Sequence, residues 1–219
     1  MNSPGERLGV FVESMEIPNP PWLQQMEQEA LAKRVPVIRP RTQGLIKFFL
    51  ELCRPMRILE VGTGTGFSAL LMDAFSPEGA GIVTIEKDPA RAEAARASFA
   101  ARGAGERIVL LEGDAAEILP SLEGPFDLVF MDAAKGQYIR FLPEVLRLLP
   151  EGGLLISDNI LREEEILSSR YAVRRRDRTI HKRMRAYLRE LTGRADLQTL
   201  LLESGDGTAV TVKKKDDRQ

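Results

Sequence analysis

Two places in the chain carry acids and amides in a pattern that suits metal chemistry. Asp132 follows the apolar run Phe126–Met131, and Asp158-Asn159 follows a second run, Leu154–Ser157. Two carboxylates and one amide oxygen make a hard, all-oxygen donor set. Such a set suits Mg²⁺, which takes few protein ligands and keeps positions for water and substrate; Mn²⁺ and Ca²⁺ are other hard cations that fit. Lys135 lies three residues beyond Asp132. A lysine partly desolvated beside a cation titrates below its usual range and can act as a general base. Each acid also has a plain structural reading: Asp158-Asn159 as a helix cap, Asp132 as a turn residue. Their joint occurrence at the ends of two apolar runs favours the metal.

A second constellation lies upstream, in Glu60-Val61-Gly62-Thr63-Gly64-Thr65-Gly66-Phe67-Ser68. Its glycines let the backbone turn sharply and let a ligand approach the main chain. The spacing is G-x-G-x-G, with an acid two residues before the first glycine. It is not the G-x-G-x-x-G of dinucleotide enzymes, which argues against an NAD-dependent dehydrogenase. Glu86 stands 24 residues after Gly62, near the offset at which an acid meets a ribose diol. Asp114-Ala115 closes a third apolar run, where it can reach the same ligand.

These residues need strands to carry them to a common edge. From Arg57 onward, short apolar runs alternate with helical stretches: Ile58–Val61, Gly81–Ile85, Ile108–Leu111, Phe126–Met131 and Leu154–Ser157 alternate with Phe67–Phe75, Pro89–Arg102, Ala115–Leu119 and Tyr138–Leu149. Strands buried on both faces by intervening helices describe a parallel, doubly wound α/β sheet. Two further strands, Leu197–Glu203 and Thr208–Val212, are joined by Gly205-Asp206-Gly207, which predicts a C-terminal β-hairpin. Residues 1–54 read as added helices. One starts near Leu8, one runs through Met26 and Leu31, and one spans Leu45 to Cys53; Pro36 and Pro40 bracket an extended piece, Val37-Ile38. The whole is expected to be a single domain over 1–219, with a helical extension over 1–54 and a sheet core over 55–215.

The loop and strand-end residues resemble the class I S-adenosylmethionine-dependent methyltransferases over about residues 36–215. The resemblance implies a seven-stranded, Rossmann-like sheet with the last strand antiparallel, and S-adenosylmethionine as methyl donor. Carried over, Glu86 holds the ribose hydroxyls, and Ser68 and the backbone near Gly62 hold the methionine end. Asp114 and Ala115 border the adenine, and Ile38 lines the cofactor. Asp132…Lys135 with Asp158-Asn159 is similar to the divalent-metal-dependent O-methyltransferases of the catechol and caffeoyl-CoA group. That implies a metal bound to two neighbouring substrate oxygens, with Lys135 as base and Asp132 shared between metal and cofactor. Two departures stand out: Ala134 replaces an acid or aromatic common in that group, and Ile160–Glu165 replaces a glycine-containing loop.

Composition bounds the partners. Lys and Arg number 31 against 32 Asp and Glu, yet Arg170 to Arg189 hold nine cations against Asp177 alone. That stretch carries +8 over 20 residues, leaving −9 on the rest, so the near-zero total hides a segregated charge. Concentrated arginine, with Tyr171 and Tyr187 interleaved, is the footprint of a polyanion. A solvated helix face, or a contact to Glu163-Glu164-Glu165, is the alternative. The stretches Met131–Tyr138, Ser157–Leu161 and Arg178–Ile180 resemble the bacterial tRNA 5-hydroxyuridine methyltransferases. This implies tRNA wobble-position 5-hydroxyuridine as acceptor, 5-methoxyuridine as product, and Arg174, Arg175, Arg176, Arg178 and Lys182 as RNA contacts. The alternatives are the same chemistry on a small catechol-like or hydroxycinnamoyl substrate, and a catalytically silent RNA-binding protein on the same fold. The resemblance also implies a homodimer, with the N-terminal helices as contacts. The lone Cys53 excludes an internal disulfide, the lone His181 has no nucleophile to serve, and both read as structural. No apolar run spans a bilayer and the N-terminus does not read as a secretory signal, so a cytoplasmic location is expected.

Overall fold

The computed structural model describes residues 4–161, 173–203 and 206–215. Glu163–Glu165, Arg170 and Tyr171 lie outside the described residues.

Seven strands form one sheet: β1 Arg57–Val61, β2 Gly81–Glu86, β3 Ile108–Glu112, β4 Leu128–Met131, β5 Leu154–Ser157, β6 Leu197–Leu202 and β7 Thr208–Lys213. Their order is β3-β2-β1-β4-β5-β7-β6. β1 to β5 pair in parallel, and β7 runs antiparallel to both β5 and β6. This is the expected mostly parallel sheet with its C-terminal hairpin. Alternate residues of the central strands enter different cores. Leu128, Phe130, Leu154 and Ile156 pack with α2 (Pro21–Ala32), α3 (Pro40–Cys53), α4 (Phe67–Phe75) and α5 (Pro89–Ala101). Val129, Met131 and Leu155 pack with α7 (Tyr138–Leu148) and α8 (Arg178–Gly193). Burial on both faces explains why these strands read as continuous apolar runs. α1 (Pro4–Ser14) and the short α6 (Ala115–Ile118) complete the helices of the described residues.

Several boundaries differ from expectation, three of them near the site or the sheet it stands on. α3 starts at Pro40 rather than Leu45, because a proline without an N–H suits the first turn of a helix. β4 starts at Leu128 rather than Phe126. Phe126 is buried but its N–H bonds the Leu148 carbonyl instead of the ladder. α6 is a single turn that passes into a 3₁₀ turn at Leu119-Pro120. His181 is buried in α8, as a structural residue would be, whereas Cys53 at the end of α3 is exposed.

The sheet order reverses between β1 and β4, and a crevice opens there at the carboxyl ends of the strands. Backbone bonds tie these ends into one rim: Gly62 N–H to the Ile85 carbonyl, Asp132 N–H to Val61, Asp158 N–H to Met131, and Gly113 N–H to Glu86.

Candidate active site

The crevice is a cleft of about 1030 Å³. Ile38, Gly62, Ser68, Glu86, Asp114, Ala115, Asp132, Lys135, Asp158 and Asn159 all line it, so the fold gathers every expected cofactor and metal residue at one site. Arg174, Arg175, Arg176 and Lys182 are exposed outside it, and Arg178 is half-buried with its Nε donating to the Val173 carbonyl.

One half of the cleft is built on the glycine loop. Gly62 has φ +104°, and a Cβ there would overlap the Asp132 carbonyl oxygen, so only glycine lets β1 and β4 meet this closely. Glu86 accepts from the Gly64 N–H (2.8 Å) and the Asp88 N–H (2.9 Å). Each carboxylate oxygen keeps a further lone pair, enough for a diol. Asp114 caps α6 through the Ala116 N–H and pairs with Lys87 Nζ at 2.6 Å. The Lys87 bond holds the Asp114 carboxyl below its usual range.

Behind this half lies a network the sequence reading left out. Glu60 is fully buried and accepts from the Thr84 hydroxyl (2.5 Å), with Ser68 near enough to favour its charged form. Thr84 pairs in turn with Thr63. Burial pushes the Glu60 carboxyl up to about 7. The acid before the first glycine was the available signal, but strand register was needed to turn it inward onto Ser68.

The other half holds the acids. Asn159 Nδ2 donates to Asp132 Oδ1 at 2.7 Å, which leaves the amide oxygen for another partner. Asn159 has φ +61°, a conformation asparagine tolerates better than most residues. Burial, and then the charge of Asp158, push Asp132 up to about 6, against the Asn159 bond and the charge of Lys135. Asp158 is also raised by burial, although Thr208 (2.9 Å) and Thr42 (3.2 Å) donate to its Oδ1. Asp206 adds a third nearby negative charge and pairs with Arg39 at 3.0 Å across the cleft mouth. Thr42, Thr208 and Asp206 come from α3 and the hairpin, far in sequence from the acids, and no local motif announced them. Among the described residues, no group of three or more His, Cys, Asp or Glu is arranged as a metal cluster. A buried acid, Asp158, and a half-buried one of like charge, Asp132, with a free amide oxygen are nevertheless a donor set that fits a hard divalent cation.

The model of the O-methyltransferase family aligns with residues 13–214. The chain belongs to that family. Among curated proteins, a catechol O-methyltransferase from Niastella koreensis is 32% identical over 134 residues, covering 59% of this chain and 61% of the relative. A catechol O-methyltransferase from Mycobacterium tuberculosis is 39% identical over 114 residues, covering 51% of each. The matched segments thus span between half and two thirds of these relatives. The SAH-bound methyltransferase PaMTH1 of Podospora anserina superposes with a TM-score of 0.85 at 27% identity, covering 96% of this chain and 95% of that one.

Proposed function

We propose that this O-methyltransferase family member transfers a methyl group from S-adenosylmethionine to a hydroxyl that has a second oxygen beside it, and that its acceptor is 5-hydroxyuridine at the tRNA wobble position. Glu86 holds the ribose hydroxyls of the donor. Gly62 and Ser68 hold its methionine end, Asp114 and Ala115 border its adenine, and Ile38 lines the cofactor. Asp132, Asp158 and Asn159 would hold the divalent cation, Mg²⁺ by donor hardness. Once bound, such a cation favours the ionised form of a hydroxyl it touches. Lys135 takes the acceptor proton at Nζ. The acceptor oxygen then attacks the sulfonium methyl in line, the C–S bond breaks, and the donor leaves as the neutral thioether. The rate advantage comes largely from holding oxygen and methyl in register.

The observation that supports an RNA acceptor is where the basic helix sits. α8 packs against the turn Lys135–Gln137 that lines the cleft, and Arg183 Nη1 donates to the Gly136 carbonyl at 3.2 Å. Arg178 and Lys182 precede Arg183 on the same helix, with Arg174–Arg176 just before it. One cation of the stretch, Arg183, therefore meets a turn that lines the cleft, and a small neutral acceptor has no use for so concentrated a charge. The 5-hydroxyl and O4 of the base are vicinal oxygens, as in a catechol, and an anticodon-loop base is reached without opening a duplex.

A small catechol-like acceptor is the second reading, supported by the two relatives that are catechol O-methyltransferases. Methyl transfer from labelled S-adenosylmethionine separates them, using hydroxyuridine-containing tRNA and a catechol panel with Mg²⁺ or chelator. Labelled tRNA supports the first reading, labelled catechol alone the second, and no product a silent binder. Leu8 and Phe11 stand exposed on α1 and Met15 just after it, with Phe48 and Leu52 exposed on α3. We propose that this apolar surface joins two copies in a homodimer.

A further inference from the structure

Tyr138 is the first residue of α7, and its side chain has no exposed surface. Its hydroxyl lies 3.1 Å from the Met131 carbonyl, 3.2 Å from the Ala133 N–H and 3.0 Å from the Asp158 carbonyl. The first two groups belong to the peptides on either side of Asp132. The third is the carbonyl of Asp158 itself. The phenol oxygen accepts from Ala133, and its one proton serves the two carbonyls.

The rest of the packing fixes that oxygen in place. The Tyr138 ring stands edge-on to Tyr187, with centroids 5.4 Å apart at 79°. The Tyr187 hydroxyl pairs with Ser157 Oγ at 2.5 Å, one residue before Asp158. On the opposite side, Gly62 presses against the Asp132 carbonyl. The ladder between β4 and β5 ends with the Asp158 N–H on the Met131 carbonyl. Beyond it, one side-chain oxygen bonds both strand ends.

We propose that Tyr138 is a positioning residue whose hydroxyl sets the spacing and aim of Asp132 and Asp158, and with them the affinity of the site for a divalent cation. The inference rests on the cation reading above. It assigns Tyr138 no contact with the acceptor or the methyl donor. A tyrosine needed only for core stability would lower the melting temperature and leave the affinity of the folded protein alone. A positioning tyrosine lowers the affinity itself, because groups that orient metal ligands typically contribute about 10–100-fold.

The test measures Mn²⁺ binding to the full chain by electron paramagnetic resonance, for wild type, Tyr138→Phe and Tyr187→Phe. The last variant also removes a buried hydroxyl beside β5, but one that touches neither Asp132's peptides nor the Asp158 carbonyl. The proposal expects Tyr138→Phe to bind Mn²⁺ about 10–100-fold more weakly, with Tyr187→Phe close to wild type. Unchanged Mn²⁺ affinity in Tyr138→Phe, or an equal loss in both variants, overturns it. Wild type that binds no Mn²⁺ removes the cation reading instead. If Tyr138→Phe does not fold, amide exchange of the wild type decides. The Ala133 N–H is expected to be strongly protected, and exchange at the rate of a solvated loop amide overturns the proposal.

Discussion

Glu60→Gln should stabilise the protein at alkaline pH and leave it unchanged in acid. Glu60 is fully buried, and its Oε1 has no hydrogen-bond partner among the described residues. Burial raises its carboxyl from the ordinary 4.5 to about 7. Between those values the native state keeps a proton that the unfolded chain has released, so folding takes up a proton and stability falls as pH rises. Above about 7 both states are ionised and this contribution levels off. The interval corresponds to about 3 kcal/mol, an upper figure for one group. Glutamine keeps the shape of the protonated acid and still accepts from Thr84, so it removes the titration with little repacking. Urea unfolding of both proteins between pH 4.5 and 8.5 reads the difference, since every group that does not sense the Glu60 charge cancels, leaving Glu60 and its neighbours Asp132 and Glu86. The stability gap should open with pH and reach a plateau of up to about 3 kcal/mol in favour of glutamine. A gap that is constant with pH, or a variant less stable than wild type at pH 8, refutes the reasoning.

Other outcomes follow from the same geometry. Lys135→Ala should lower kcat by about 10²–10⁴-fold, as loss of a general base does, while S-adenosylmethionine affinity from calorimetry stays near wild type; unchanged turnover removes Lys135 as the base. Replacing Arg174, Arg175 and Arg176 with alanine should weaken tRNA binding and reduce the slope of log K against log salt by about 2–3, close to one per lost phosphate contact. An unchanged slope in filter binding means these residues meet no phosphate. Phe11→Glu should convert a dimer to a monomer in light scattering, because a charge cannot be buried unpaired against an apolar partner face. A dimer that survives uses another surface.

Much of the fold was legible because each central strand is buried on both faces, so Ile58–Val61 and Leu154–Ser157 stand out as apolar runs between helices. The same runs located the site, since ligands of such sheets sit at strand carboxyl ends and Asp132, Asp158 and Glu86 each stand there. Boundaries set by tertiary contacts were less legible. Phe126 is as apolar as the strand residues Leu128–Met131, yet its N–H bonds the Leu148 carbonyl and not the ladder. The residues that shape the acids were hidden for a similar reason. Thr42, Thr208 and Asp206 meet Asp158 and Asp132 through long-range packing. Tyr138 was visible as the end of the stretch Met131–Tyr138 and as a helix start, but nothing local shows that its hydroxyl returns to the peptides around Asp132. The basic stretch was legible as charge, and its seat against the Lys135–Gln137 turn depended on how α8 packs.

Nucleoside mass spectrometry after incubating hydroxyuridine-containing tRNA with the protein and S-adenosylmethionine tests the central claim most directly. With Mg²⁺ present, 5-hydroxyuridine should convert to 5-methoxyuridine, and Asp158→Ala or a chelator should abolish the conversion. Full conversion in chelator would contradict the cation reading, and unchanged tRNA beside a methylated catechol would contradict the RNA acceptor.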